Sequence, residues 1–117
     1  MPRADRIAEF QEVAALMPDD PVVRFGLAGA YLEAGRPEDA VREFQAAVRL
    51  KPDYSAAHRG LGRALERAGR RTEARAAYER AIEVATQTGD LQTKKEVEVF
   101  LRRLEKAGAA GEPGGAT

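Results

Sequence analysis

The sequence predicts an all-α chain: a short array of helix-turn-helix units stacked side by side. Three observations carry this. The stretch from Pro21 to Pro52 repeats when slid forward by thirty-four residues: Leu27 lands on Leu61, Ala28 on Gly62, Tyr31 on Leu65 and Gly35 on Gly69. Ala40 then lands on Ala74, Phe44 on Tyr78 and Ala47 on Ala81. Slid back by the same interval, its second half repeats again, with Phe44 on Phe10, Val48 on Ala14, Leu50 on Leu16 and Pro52 on Pro18. Between the glycine and proline breaks, apolar residues recur at helical spacing. A period in this range marks two-element units that stack to bury a shared apolar face.

About six helices follow in order. The first is expected over 5–17, where Ile7, Phe10, Val13 or Ala14, and Met17 recur on one side. It reads as the second half of a unit whose first half is missing. Pro18-Asp19-Asp20-Pro21 ends it. Asp20 can cap the next helix, with Pro21 in its first turn. That helix is expected over 21–34, ended by Gly35 in a left-handed turn. The third runs over 37–50, with Glu38 and Asp39 suiting its positive N-terminal end and Glu38–Arg42 spaced as a supportive i,i+4 pair. The fourth is expected over 54–68, with Gly69 repeating the role of Gly35. The fifth spans 72–86, capped by Thr72. Gly89-Asp90 breaks the chain again, and the sixth spans 91–106 on Leu91, Val97, Phe100, Leu101 and Leu104. From Gly108 the sequence GAAGEPGGAT has nothing to bury, so 108–117 is expected to be a disordered tail.

Each unit resembles the tetratricopeptide repeat, a thirty-four-residue helix-turn-helix with the pattern W-x2-L-G-x2-Y…A-x3-F…P. The first copy has Leu27-Ala28-x2-Tyr31, Ala40-x3-Phe44 and Pro52; the second has Leu61-Gly62-x2-Leu65 and Ala74-x3-Tyr78. The Trp slot holds Arg24 and His58, and Thr86 stands where the second closing proline would be, so the fifth helix is expected to run on. The resemblance implies a short right-handed α-solenoid. It divides 1–107 into a half-repeat helix at 5–17, repeats at 21–52 and 55–87, and a cap helix at 91–106. The cap lacks the Leu-Gly-Tyr cluster, as terminal units do where one face meets water.

Composition narrows the function. Nineteen acids balance nineteen bases over 117 residues, so nothing global points to nucleic acid or membrane. With no cysteine, disulfides and thiolate metal sites are out. No apolar run follows MPRADR and none has the length of a membrane span, so a soluble cytoplasmic protein is expected. Charge is uneven: net −3 over 1–53, +3 over 54–87, and zero beyond. That fits head-to-tail contact, an acidic ligand, or an uneven solvated surface alike. His58, the sole histidine, has no cysteine or aspartate cluster beside it and is expected to fill the Trp slot. Gly60-Leu61-Gly62 follows no strand, so it reads as close helix packing rather than a dinucleotide fingerprint; Gly26 and Gly29 read as close packing or a cleared groove. No nucleophile elbow, phosphate loop or supported acid pair is present. No enzyme activity, catalytic residue, cofactor or metal is expected.

The pointed feature is on the fourth helix, where Arg59, Arg63 and Arg67 stand at i, i+4 and i+8. Like charges at that spacing oppose the helix, and only Glu66 lies near enough within it to offset them. The family resemblance places the first helix of each unit on a concave groove. The same stripe then falls on Phe25, Gly29, Leu32 and Glu33 of the second helix, and on Lys94, Val97 and Leu101 of the sixth. The expected groove is Phe25, Gly29, Leu32, Arg59, Arg63, Arg67, Lys94 and Val97, holding a protein or peptide segment of acidic character. The arginine stripe reads equally as a solvated face. Some members of the family grip chaperone C-termini with groove Lys, Asn and Arg residues. Here Phe25 and Gly29 replace a Lys and an Asn, Gly60 another Asn and Asp90 a Lys, with Lys94 alone compatible, so that ligand is not expected. The alternative is a structural module, monomer or homo-oligomer, that self-associates through its end helices.

Overall fold

The computed structural model describes residues 3–111, with side chains described over 6–108. Among them stand six α-helices and no strand: α1 (Arg3–Leu16), α2 (Pro21–Glu33), α3 (Pro37–Leu50), α4 (Ser55–Arg67), α5 (Arg71–Thr88) and α6 (Leu91–Gly111). The break signals act as local physics requires. Asp20 Oδ1 accepts from the Val22 N–H at 2.8 Å and the Val23 N–H at 3.2 Å, satisfying two orphan donors of α2. Gly35 and Gly69 follow α2 and α4 with φ of 76° and 77°. A residue with a Cβ would pay about 1–2 kcal/mol there.

Three local expectations are corrected. Thr72 does not cap α5. The cap position is Arg70, whose guanidinium donates at 2.8 Å to Glu73 within the first turn and at 2.8 Å to Glu38 on α3. Arg36 likewise opens α3 by donating to Asp39 at 2.7 Å. Asp39 also takes Arg42, so with Glu38 committed to Arg70 the Glu38–Arg42 pair does not form. The expected tail does not begin at Gly108, because α6 continues to Gly111. Arg71 donates to the Leu104 carbonyl at 2.9 Å, and a Cβ on Gly108 would lie 2.7 Å from that guanidinium, so this glycine gives the arginine room. The rest of the expected tail, 112–117, lies outside the described residues.

Neighbouring helices pack in sequence order. In addition α2 meets α4 and α4 meets α6, whereas α3 and α5 do not approach each other. The array therefore curves toward its first helices, and α2, α4 and α6 form the inner face. The repeat rings set the spacing. A Cβ on Gly26 would stand 2.4 Å from the Phe10 ring, and one on Gly60 2.3 Å from the Phe44 ring. Each ring thus presses from one unit onto bare backbone of the next. Tyr78 instead seats on Gly62 of its own unit, 2.3 Å from a Cβ there, and lies 5.9 Å from the Phe100 ring. Of the repeat-pattern residues, Leu27, Tyr31, Phe44, Leu65 and Tyr78 are buried, whereas Leu61, with Ile82 beside the pattern, stays partly exposed at the core's margin.

The two Trp slots hold polar staples. Arg24 Nε donates to the Pro18 carbonyl at 3.0 Å and Nη1 to Glu43 at 2.9 Å. His58 Nε2 donates to the Pro52 carbonyl at 2.8 Å. Both donors reach back six residues to the proline before their own unit. Hydrogen bonds here take the place of an indole's buried area.

Candidate functional site

On the inner face, α6 meets the arginine stripe of α4 rung by rung. Arg59 pairs with Glu96. The Arg63 guanidinium lies 4.3 Å over the Phe100 ring, a cation–π contact that holds its plane. Arg67 and Arg103 complete the series around an open cavity of about 150 Å³, lined by Arg63, Glu66, Arg67, Phe100 and Arg103. Among the described residues no carboxylate pairs with Arg63, Arg67 or Arg103. Glu66, the acid in the cavity wall, accepts from the Tyr78 hydroxyl at 2.7 Å. Burial and this carboxylate push the tyrosine's pKa well up, so the phenol stays a donor. Glu66 is the acid that α4 itself places beside the stripe, and α6 adds to it: Glu96 neutralises one rung and Phe100 supports a second.

Other expected groove residues divide. Gly29 has nothing within 4 Å of a Cβ position, so it clears the α2 side of the face. Leu32 is partly buried against the core. Phe25 packs edge-on to Phe44 at 5.8 Å and against Tyr54 at 5.1 Å, which commits its ring to the seam between units. Val97 is wholly buried and cannot touch a ligand, which corrects its place in the groove. Lys94 and Leu101 are partly buried and do not line the cavity.

The reason is register. Pro21, Ser55 and Leu91 open α2, α4 and α6, thirty-four and then thirty-six residues apart, because α5 runs on to Thr88 before Gly89 turns the chain. A strict thirty-four-residue offset thus names the wrong side of α6. With the two extra residues, Lys94 aligns with the slot of Arg24 and His58, not with the groove. Glu96, Phe100 and Arg103, which face the stripe, are missed by that offset. Counting from the start of α6 at the Gly89-Asp90 break carries Arg67 onto Arg103 but Arg59 and Arg63 onto Lys95 and Val99, so that signal finds Arg103 alone, and Glu96 and Phe100 emerge only from the packing. Asp90 itself caps α6 by accepting from the Thr93 N–H at 3.1 Å and takes the Ser55 hydroxyl at 2.6 Å, tying α6 to the start of α4. These bonds, Ser55 foremost, hold its carboxyl below the usual range.

Among the described residues no helix is long and apolar enough to cross a membrane, and no group of three or more His, Cys, Asp or Glu could hold a metal ion. No curated protein matches the chain. Solved structures do. A protein from Bordetella parapertussis is 34% identical, with 90% of this chain and 91% of that chain covered at a TM-score of 0.78. The Sgt2 repeat domain from Aspergillus fumigatus is 28% identical, with 95% and 74% covered, at 0.78. The first repeat domain of Spaghetti (RPAP3), solved with an HSP90 peptide, is 24% identical, with 92% and 82% covered, at 0.79, a likeness of fold. A family model described as the tetratricopeptide repeat matches residues 25–90. Period, ring-on-glycine packing and these matches agree: the chain belongs to the tetratricopeptide repeat family.

Proposed function

We propose that this chain is a protein-interaction module that holds a partner segment along the face of α2, α4 and α6, the segment bearing acidic residues beside an apolar side chain. One observation supports this most. The arginine ladder is closed at Arg59 by Glu96 but open at Arg63, Arg67 and Arg103, around a cavity backed by Phe100. Arginine's planar fork takes a carboxylate bidentately, and the ring offers apolar area. Gly29 leaves space for a segment to pass. Exposed ion pairs give only about 0–1 kcal/mol each, so affinity is modest, near micromolar or roughly −8 kcal/mol, and falls with salt. The proposal includes a non-catalytic role and a cytoplasmic setting.

The test is a partner captured by pull-down, identified by mass spectrometry, and titrated against an Arg63→Ala, Arg67→Ala variant that melts like the parent. Weaker binding and a shallower salt slope are expected. Unchanged affinity and slope would reduce the ladder to a solvated face.

A second reading has its own observation. Leu16 is 83% and Met17 47% exposed at the end of α1, whose outer side no helix covers among the described residues. A second copy docking there would make a dimer. Light scattering that returns the monomer mass at every concentration removes this reading.

A further inference from the structure

Resting on the groove reading above, we propose that the cavity between α4 and α6 is a subsite for a phosphorylated serine or threonine side chain of the bound segment. Charge is the first argument. Arg63, Arg67 and Arg103 face one acid, Glu66, so the cavity carries two net positive charges. A single carboxylate would leave it positive. A phosphoryl group brings about −1.5 to −2 charge and three acceptor oxygens. The number of forks matches: two from α4, one turn apart, and one from α6.

Preorganisation is the second argument. Phe100 holds the Arg63 plane, at 4.3 Å from its ring. Glu66 is engaged by the Tyr78 hydroxyl at 2.7 Å. That bond draws on the one carboxylate that could otherwise close over the neighbouring arginines. Arg59, in the same stripe, is excluded because Glu96 already occupies it. The site is thus bounded at one end by an ion pair and open at the other. Its volume of about 150 Å³ leaves ample room for a phosphoryl group among the three forks.

The experiment uses the full chain, labelled for NMR, and follows the arginine Nε–H resonances during titration with inorganic phosphate, then with acetate at matched ionic strength and pH. Saturable movement of Arg63, Arg67 and Arg103 with phosphate, and little with acetate, is expected, with Arg59 still. Arg103→Gln should weaken phosphate binding by about tenfold, the equivalent of one charge-assisted hydrogen bond. Arg103→Lys, which keeps the charge and loses the fork, should fall between. Equal response to acetate, or a drift shared by all arginines, overturns the proposal. The second arm tests the source: the captured partner is titrated before and after phosphatase treatment. Loss of affinity on dephosphorylation supports the subsite. A partner that ignores dephosphorylation yet loses affinity for the Arg63→Ala, Arg67→Ala variant overturns the subsite and leaves the groove reading standing. Phosphate binding with such a partner means the cavity takes a free anion, which also overturns it.

Discussion

Replacing Gly29 and Gly60 by alanine, one at a time, should move stability in opposite directions. Both lie inside the first helix of a unit, so the helix itself favours alanine at each by about 1 kcal/mol. What differs is the space. A Cβ on Gly29 meets nothing within 4 Å, so the propensity gain stands alone. A Cβ on Gly60 would sit 2.3 Å and 2.5 Å from Cε1 and Cζ of Phe44. Carbons in contact prefer about 3.5–4.0 Å, so the ring must retreat by about 1 Å or more. It has nowhere to go: Phe44 is 3% exposed and its ring abuts Phe25 at 5.8 Å. Such overpacking costs about 1–3 kcal/mol. The helix term cancels between the two variants, so their stabilities should differ by about that cost. Each kcal/mol moves the Tm of a domain this size by about 4 °C, well within reach of a circular-dichroism melt. In a Phe44→Leu background the Gly60→Ala penalty should shrink, since the two sites are in contact. If both alanines raise Tm, or the penalty survives unchanged in that background, the ring-on-backbone account of the repeat seam is wrong.

Other consequences are as direct. Burial holds His58 below the ordinary imidazole pKa, nearby Arg80 adds to this, and the Pro52 bond opposes it. The unfolded chain therefore binds a proton first, so stability is full above about pH 6.5 and is lost as pH falls through the folded pKa. His58→Gln should flatten that loss, and an NMR titration of His58 with a midpoint above the free value would contradict it. Phe44→Ala should cost about 3–5 kcal/mol in a chemical-denaturation curve, because the ring bridges two units. A chain ending at Gly89 should melt lower than the parent, since α6 covers α5 and contributes the buried Val97; an equally stable monomer would remove its capping role.

The fold was legible because its determinants are local and periodic. Asp20, Gly35, Gly69 and the rings at 10, 44 and 78 each act within a few residues or at a constant interval. The site was less so. Arg59, Arg63 and Arg67 could be read as one stripe because a helix face needs only its own sequence. What meets that stripe comes from α6, and its register depends on how far α5 runs past Thr86. Helix propensity barely separates a stop at Thr86 from one at Thr88, so only the glycine break beyond was decisive. Arg70 and Arg36 were missed as helix openers because an arginine fork across a first turn is not a capping signal in sequence. Gly108 looked like the start of a tail because its neighbour Arg71 lies on another helix, remote in sequence.

The unequal spacing of α2, α4 and α6 has a bearing on recombination. Two residues turn an α-helix by about 200°, so a splice that is silent at one seam inverts a face at another. A thirty-four-residue unit exchanged at Pro52 would arrive in phase, with its ring aimed at a waiting glycine. The same unit grafted in place of 89–117, behind the two extra residues of α5, would start its first helix thirty-six residues after Ser55 and turn its stripe to the wrong neighbour unless Gln87 and Thr88 were removed. Modularity in this chain is thus a property of one junction and not of the array, and the last helix behaves as a fitted terminus rather than an interchangeable part.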